Sequence, residues 1–211
     1  AGSGVYVLFD PRTRADWRET VQALAAAGVR WFQLRAKGAS RTQIQHWGRT
    51  ARRDLGAKCV LIVNDDPQIV AAINADGAHL GPDDPAPVAA RAVVGAHRLI
   101  GASGDTPAAL SGSAASEVDY FGIGTYRATA TKKDAGCALG PHGLARAIAS
   151  AERPAVAIGG VRVDDVATVA RAGAVGMAVY GAVWRAPSPV RAARGFLQAW
   201  APFAARATGV V

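Results

Sequence analysis

The sequence predicts a (β/α)8 TIM barrel, and three observations carry the prediction. Eight short runs rich in Val, Ile and Leu recur at intervals of roughly 20 to 30 residues, each followed by a stretch of helical periodicity, the pattern of parallel strands alternating with covering helices. Several helical stretches open on a capping side chain followed by proline. No glycine-rich turn follows the first run, FDPRT, where a doubly wound open sheet would more often carry one. Eight such units in 211 residues, half of them apolar, fit one compact closed barrel, so a single domain spanning 1–211 is expected, with Ala1–Gly4 as a disordered or truncated remnant.

The first strand is YVLF within Val5–Phe9, and WFQLR at Trp31–Arg35 is the second. The helix after it has Ile44, Trp47, Ala51 and Leu55 spaced three or four apart, one apolar stripe able to cover a sheet. CVLIVN at Cys59–Asn64 is the third strand, and Asp66 before Pro67 starts the next helix. GAHL at Gly77–Leu80 is the fourth, and Asp84 before Pro85 reads as a second cap of the same kind. LIGAS at Leu99–Ser103 follows, with Thr106 and Pro107 opening its helix, then YFGIG at Tyr120–Gly124. AVAIGG at Ala155–Gly160 is the seventh strand; Val166, Val169 and Ala170 then form a helix face ahead of Gly173, a C-terminal cap. GMAVY at Gly176–Tyr180 is the eighth, and Ser188 with Pro189 opens the last helix.

Charge and composition exclude several function classes. The formal charge is +8, but the arginines are spread along helical stretches, without a basic stripe interleaved with aromatics, so a solvated surface or an anionic small substrate is expected and a nucleic-acid partner is not. Two cysteines, Cys59 and Cys137, are too few for a disulfide framework or a four-ligand zinc site. No run approaches the ~18 apolar residues of a membrane span. A cytoplasmic enzyme with no membrane partner is expected, with self-association left open.

In a barrel the functional residues stand after the strands' C-terminal ends, so the polar residues there form one ring. Gln33, Arg35 and Lys37 alternate at the second strand's exit and leave one face of an extended chain, a cationic pair plus an amide suited to a diphosphate and a heteroaromatic ring. At the third and fourth exits stand Asn64, Asp65, Asp66, Asp83 and Asp84. Capping alone accounts for Asp66 and Asp84, whereas Asp65 precedes the cap at the strand tip; with one of Asp83 or Asp84 it could share Mg2+ with phosphate oxygens and waters. Ser103 ends the fifth strand, and the loop after the sixth holds Thr129, Thr131, Lys132 and Lys133, either a phosphate site or a flexible polar loop. Gly159 and Gly160, with Tyr180 and Gly181, let backbone amides approach a phosphate. His79, His97 and His142 are assigned to packing or surface.

The motifs QLRAK, VNDDPQIVAAINADGAHLGPDD, IGAS, GIGTYRATATKKDAG, AIGGV and GMAVYGAV, in this order over most of the chain, resemble the thiamine phosphate synthase and thiazole tautomerase superfamily. The resemblance implies a transferase of thiamine biosynthesis joining hydroxymethylpyrimidine diphosphate to a thiazole phosphate or its carboxylate, through a pyrimidine carbocation. It assigns Gln33, Arg35, Lys37, Asn64, Ser103 and Lys132 to the pyrimidine diphosphate, with Ser103, Lys132 and Arg35 in the catalytic roles. Asp65 and Asp84 fall to Mg2+, and Thr129, Thr131, Gly160, Tyr180 and Gly181 to the thiazole phosphate. Departures from the family pattern are Ala36, Ala130, Gly181 and the pair Tyr126–Arg127. The alternatives are a thiazole tautomerase, a pyrimidine transferase with another acceptor, and a noncatalytic barrel that binds thiamine intermediates.

Overall fold

The computed structural model describes residues 4–112, 115–128 and 138–209. Eight parallel strands, β1 (Val5–Phe9), β2 (Trp31–Leu34), β3 (Val60–Asn64), β4 (Gly77–Leu80), β5 (Leu99–Gly104), β6 (Tyr120–Ile123), β7 (Ala155–Ile158) and β8 (Gly176–Val179), pair in sequence order, and β8 returns to β1 to close the barrel. Between and after them run α1 (Trp17–Ala26), α2 (Arg41–Leu55), α3 (Pro67–Ile73), α4 (Pro87–Val94), the single-turn α5 (Pro107–Leu110), α6 (Gly140–Ala149), α7 (Val166–Arg171) and α8 (Pro189–Trp200). All eight expected strands are present. Several end earlier than expected: β2 stops before Arg35, β6 before Gly124 and β7 before Gly159, because the chain turns at the barrel rim.

Alternation along each strand sorts side chains between two cores. Val5, Val7, Phe9, Phe32, Leu34, Leu61 and Val63 point outward to the helices, whereas Tyr6, Leu8, Ile62, Tyr120, Val156 and Ala178 fill the barrel interior. Both faces are therefore dry, which is why the strands read as nearly continuous apolar runs.

The helix signals fared unevenly. Ser40 and Gln43 form a reciprocal capping box at the start of α2, whose predicted stripe buries Ala51 and Leu55 and packs Ile44 and Trp47 against the core. Asp66 accepts from the Gln68 N–H at 3.0 Å, as a cap should. Thr106 and Ser188 hold the cap positions without a side-chain cap bond. Asp84 does not cap a helix at all: α4 begins at Pro87, and Asp84 Oδ2 instead accepts from the Gly81 N–H at 2.6 Å, closing the turn after β4. Gly4, expected to lie in a disordered or truncated stretch, is tied to β8: its carbonyl accepts from the Met177 N–H at 2.8 Å.

One structural device occurs twice. Arg52, in the last turn of α2, donates to the carbonyls of Gly56 and Cys59 and to Asp76 Oδ2 at 2.7 Å, while the same carboxylate oxygen accepts from the Leu61 N–H at 2.7 Å. Arg91 in α4 likewise reaches the carbonyls of Gly95 and Arg98 and Asp119 Oδ2 at 2.7 Å, and Asp119 accepts from the Ile100 N–H. The segments concerned, ARRDLGAKCVLIVN and ARAVVGAHRLIGAS, match at the arginine, the Gly-Ala pair and the strand. The repeat places Asn64 and Ser103 at equivalent strand ends.

Candidate active site

A cavity of about 460 Å³ opens at the C-terminal ends of the strands, as the architecture requires. Of the residues expected to bind substrate, it brings together Gln33, Arg35, Ser103, Gly160, Tyr180 and Gly181. Asn64 is buried beside them and accepts from Arg35 Nη1 through Oδ1, which fixes the direction of that guanidinium. Lys37 does not line the cavity. The extended chain ends at Leu34, so the expected alternation lapses, and Lys37 lies exposed at the rim with Nζ 3.7 Å from Asp65 Oδ2. Thr129, Thr131 and Lys132 lie outside the described residues.

Asp65 leaves β3 in the left-handed region, φ 69°, with its N–H still bonded to the His79 carbonyl at 2.9 Å. This kink sets its carboxyl beside that of Asp84. Partial burial and then the hydrogen-bonded Asp84 raise the Asp65 pKa above the ordinary carboxylate value, and Lys37 and Arg35 pull it back. Two adjacent carboxyl groups are also a natural seat for a hard cation. Asp66 turns away into its cap and an ion pair with Arg41, and Asp83 is exposed.

The rim after β7 is backbone-built. Gly159 and Gly160 have φ of 92° and 67°, and a Cβ on either would lie 2.9 Å from Thr125 or Arg127, so glycine is required at both. The chain after β6 is laced to them: the Tyr126 N–H donates to the Ile158 carbonyl and the Arg127 N–H to that of Gly159, both at 2.9 Å. Arg127 then forks onto Asp165, through Nε at 2.9 Å and through Nη2, and Asp165 also accepts from the Arg162 N–H. Tyr126 is buried, with the Arg127 guanidinium 5.5 Å from its ring centroid. The Tyr126–Arg127 departure thus has a partner elsewhere in the same chain.

His79 is buried against Tyr120, as a packing residue should be, but it does more than pack. It lines the cavity, with Nε2 3.0 Å from Ser103 Oγ and Nδ1 3.2 Å from the Tyr120 hydroxyl. Tyr120 is 3.1 Å from the Tyr6 hydroxyl, which accepts from Gln33 Nε2 at 2.7 Å. Burial pushes both phenols well above their usual pKa, so they stay neutral and act as hydrogen-bond links. The available signal was strand alternation: Gln33, His79 and Tyr120 each stand at inward positions of their strands.

A closed parallel barrel whose mouth gathers an amide, cations, paired carboxylates and positive-φ glycines defines a (β/α)8 enzyme with a small-molecule site. Comparison with known proteins specifies it further. Residues 5–183 match the family model described as thiamine monophosphate synthase. The thiamine-phosphate synthase of Xanthobacter autotrophicus is 40% identical over 193 residues, 90% of this chain and 92% of that protein. That of Herpetosiphon aurantiacus is 39% identical over 92% of this chain and 94% of its own length. Thiamine phosphate pyrophosphorylase from Pyrococcus furiosus superposes with a TM-score of 0.83 at 28% identity, over 94% of this chain and 96% of the other. The chain belongs to the thiamine monophosphate synthase family and is a transferase enzyme. Among the described residues, no helix is long and apolar enough to cross a membrane.

Proposed function

We propose that the protein condenses hydroxymethylpyrimidine diphosphate with a thiazole phosphate, or with its carboxylate with loss of CO2, giving thiamine phosphate and pyrophosphate. The observation that carries this reading is the convergence of Gln33, Arg35 and Ser103 with Gly160 and Gly181 in one cavity, beside the Asp65–Asp84 pair. In the reaction the bond from the pyrimidine methylene to the diphosphate oxygen breaks and leaves a carbocation. The thiazole nitrogen lone pair then forms the new C–N bond.

Such a step needs negative charge stabilised on the leaving group more than it needs a strong base. Arg35, directed by Asn64, binds the diphosphate, with Lys37 at the rim and Lys132 completing the cationic set. Gln33 and Ser103 orient the pyrimidine. The backbone at Gly160, Tyr180 and Gly181, together with Thr129 and Thr131, receives the acceptor's phosphate. Gly181 and Ala130 stand where the family pattern has hydroxyls, so main-chain amides carry more of that binding.

The donor set fits Mg2+. Asp65 and Asp84 offer two adjacent hard oxygen donors, and among the described residues no group of three or more His, Cys, Asp or Glu forms a closed cage, so phosphate oxygens and water would complete the shell. Bound there, Mg2+ would neutralise charge on the diphosphate. Small-molecule substrates in the cytoplasm complete the reading. Purified protein incubated with both substrates and Mg2+ is expected to release pyrophosphate and form thiamine phosphate, detected by mass spectrometry. No product above a no-enzyme blank would defeat the proposal, and tautomer conversion without the diphosphate would favour a thiazole tautomerase.

A further inference from the structure

The interior of the barrel holds a continuous hydrogen-bonded chain, Gln33, Tyr6, Tyr120, His79, Ser103, whose three middle members the proposed reaction does not use. It runs from β2 through β1, β6 and β4 to β5, and both of its ends line the cavity. Room has been made for it. A Cβ on Gly101 would lie 2.3 Å from Tyr120 Cζ and 2.5 Å from His79 Nδ1, and one on Gly122 would lie 3.0 Å from His79 Cε1. Tyr6, Gln33, His79 and Tyr120 are all buried, so each hydroxyl and ring nitrogen must find its partner inside the protein.

Proton counting gives the chain a direction. Gln33 donates through Nε2 to the Tyr6 oxygen, and the arrangement that also satisfies the buried Tyr6 proton is donation to the Tyr120 oxygen. In that arrangement Tyr120 donates to His79 Nδ1, and a neutral imidazole carries its proton on Nε2, facing Ser103 Oγ. With that oxygen already accepting, the Ser103 proton points into the cavity. At the other end one of the two Gln33 Nε2 protons is committed to Tyr6, which fixes the amide's orientation and leaves Oε1 as an acceptor on its other side.

We infer that His79 is a positioning residue: as the Nε2–H tautomer it holds the Ser103 hydroxyl as a donor toward substrate, while the same chain keeps Gln33 as an acceptor. The site so polarised selects a heteroaromatic ring that carries an amino group and an unprotonated ring nitrogen, and disfavours the oxo counterpart, whose donor and acceptor are reversed. The inference rests on the proposed placement of the pyrimidine between Gln33 and Ser103, and it adds how the ring is recognised and which buried group enforces it.

The test reads binding, which needs no turnover, so a failed synthase reaction leaves it intact. Calorimetric titration with Mg2+ present compares the aminopyrimidine diphosphate with its oxo analogue for wild type, Ser103→Ala, His79→Asn, His79→Gln and the Ser103→Ala/His79→Asn double variant. Ser103→Ala and His79→Asn are each expected to weaken binding of the amino compound about tenfold and to narrow its preference over the oxo compound by the same factor. The double variant is expected to be no worse than either single, because both remove one directed bond. His79→Gln, whose amide nitrogen reaches where Nε2 was, should recover to within about threefold of wild type. Tyr120→Phe, which leaves the His79 ring in place but takes the donor off Nδ1, should show a partial loss of the same preference, and it reads the chain if His79→Asn unfolds. Multiplying losses in the double variant, an unchanged amino-over-oxo preference in His79→Asn and Tyr120→Phe, or a neutral Ser103→Ala would each overturn the inference. Only the last would also remove Ser103 from the proposed function.

Discussion

Arg127 grips Asp165 with two parallel hydrogen bonds, joining the segment after β6 to the turn after β7. The Arg127 guanidinium, ahead of the bond from the Arg162 N–H, holds the Asp165 carboxyl below the ordinary carboxylate pKa. A depressed folded-state pKa contributes stability that is fully present above the unfolded value, about 4, and is lost as pH falls through the folded value. Asp165→Asn should therefore flatten the stability profile in the acid window below about pH 4 and leave the slope near neutrality unchanged. Urea denaturation across pH 2–6 measures this; an unaltered acid slope would count against it.

Asp76 and Asp119 each satisfy one strand N–H and one arginine. Replacing either by alanine leaves a buried backbone donor unpaired, at a cost of about 1–3 kcal/mol. The two sites share no partner, so the losses should add to within about 0.5 kcal/mol in the double variant, read by chemical denaturation.

Gly160 combines φ 67° with a potential Cβ 2.9 Å from Arg127 Cβ and 3.0 Å from the Arg127 carbonyl. Gly160→Ala should cost about 1–3 kcal/mol of stability through strain. It should also raise the KM for the phosphorylated acceptor about tenfold with a smaller change for the diphosphate substrate. Steady-state kinetics varying each substrate separately tests the split; equal effects on both would place the defect outside the acceptor half.

Asp65→Asn keeps the shape of the strand tip and removes the charge that faces Lys37. Loss of charge stabilisation at the diphosphate predicts a fall of about a hundredfold in kcat/KM and a shift of the Mg2+ dependence to higher concentration. Wild-type activity with an unshifted Mg2+ curve would take Asp65 out of the metal site.

Much of the site was readable along the chain. Gln33, Arg35, Ser103, Gly160, Tyr180 and Gly181 each follow or end an apolar run, and the barrel rule collects such residues without knowledge of their contacts. Lys37 falls outside the cavity because alternation holds only while the chain is extended, and the strand stops at Leu34. Asp84 does not cap because a residue before proline looks like a cap whether or not the helix starts there; here it starts two residues later. The polar partners of His79 were not legible, because a lone histidine within an apolar run gives no local sign of what it faces.

By itself the sequence determined the eight alternating units, their order and the residues presented at each strand exit, since period-2 and period-3.6 burial are local properties of the chain. Only the tertiary structure decided the associations. The nearness of Asp65 to Asp84 and the fork from Arg127 to Asp165 depend on the pairing of neighbouring strands, and the chain from Gln33 to Ser103 on barrel closure, which brings residues from distant strands within hydrogen-bonding distance. Side-chain hydrogen bonds of that range depend on distances and directions in three dimensions, and no local periodicity encodes them.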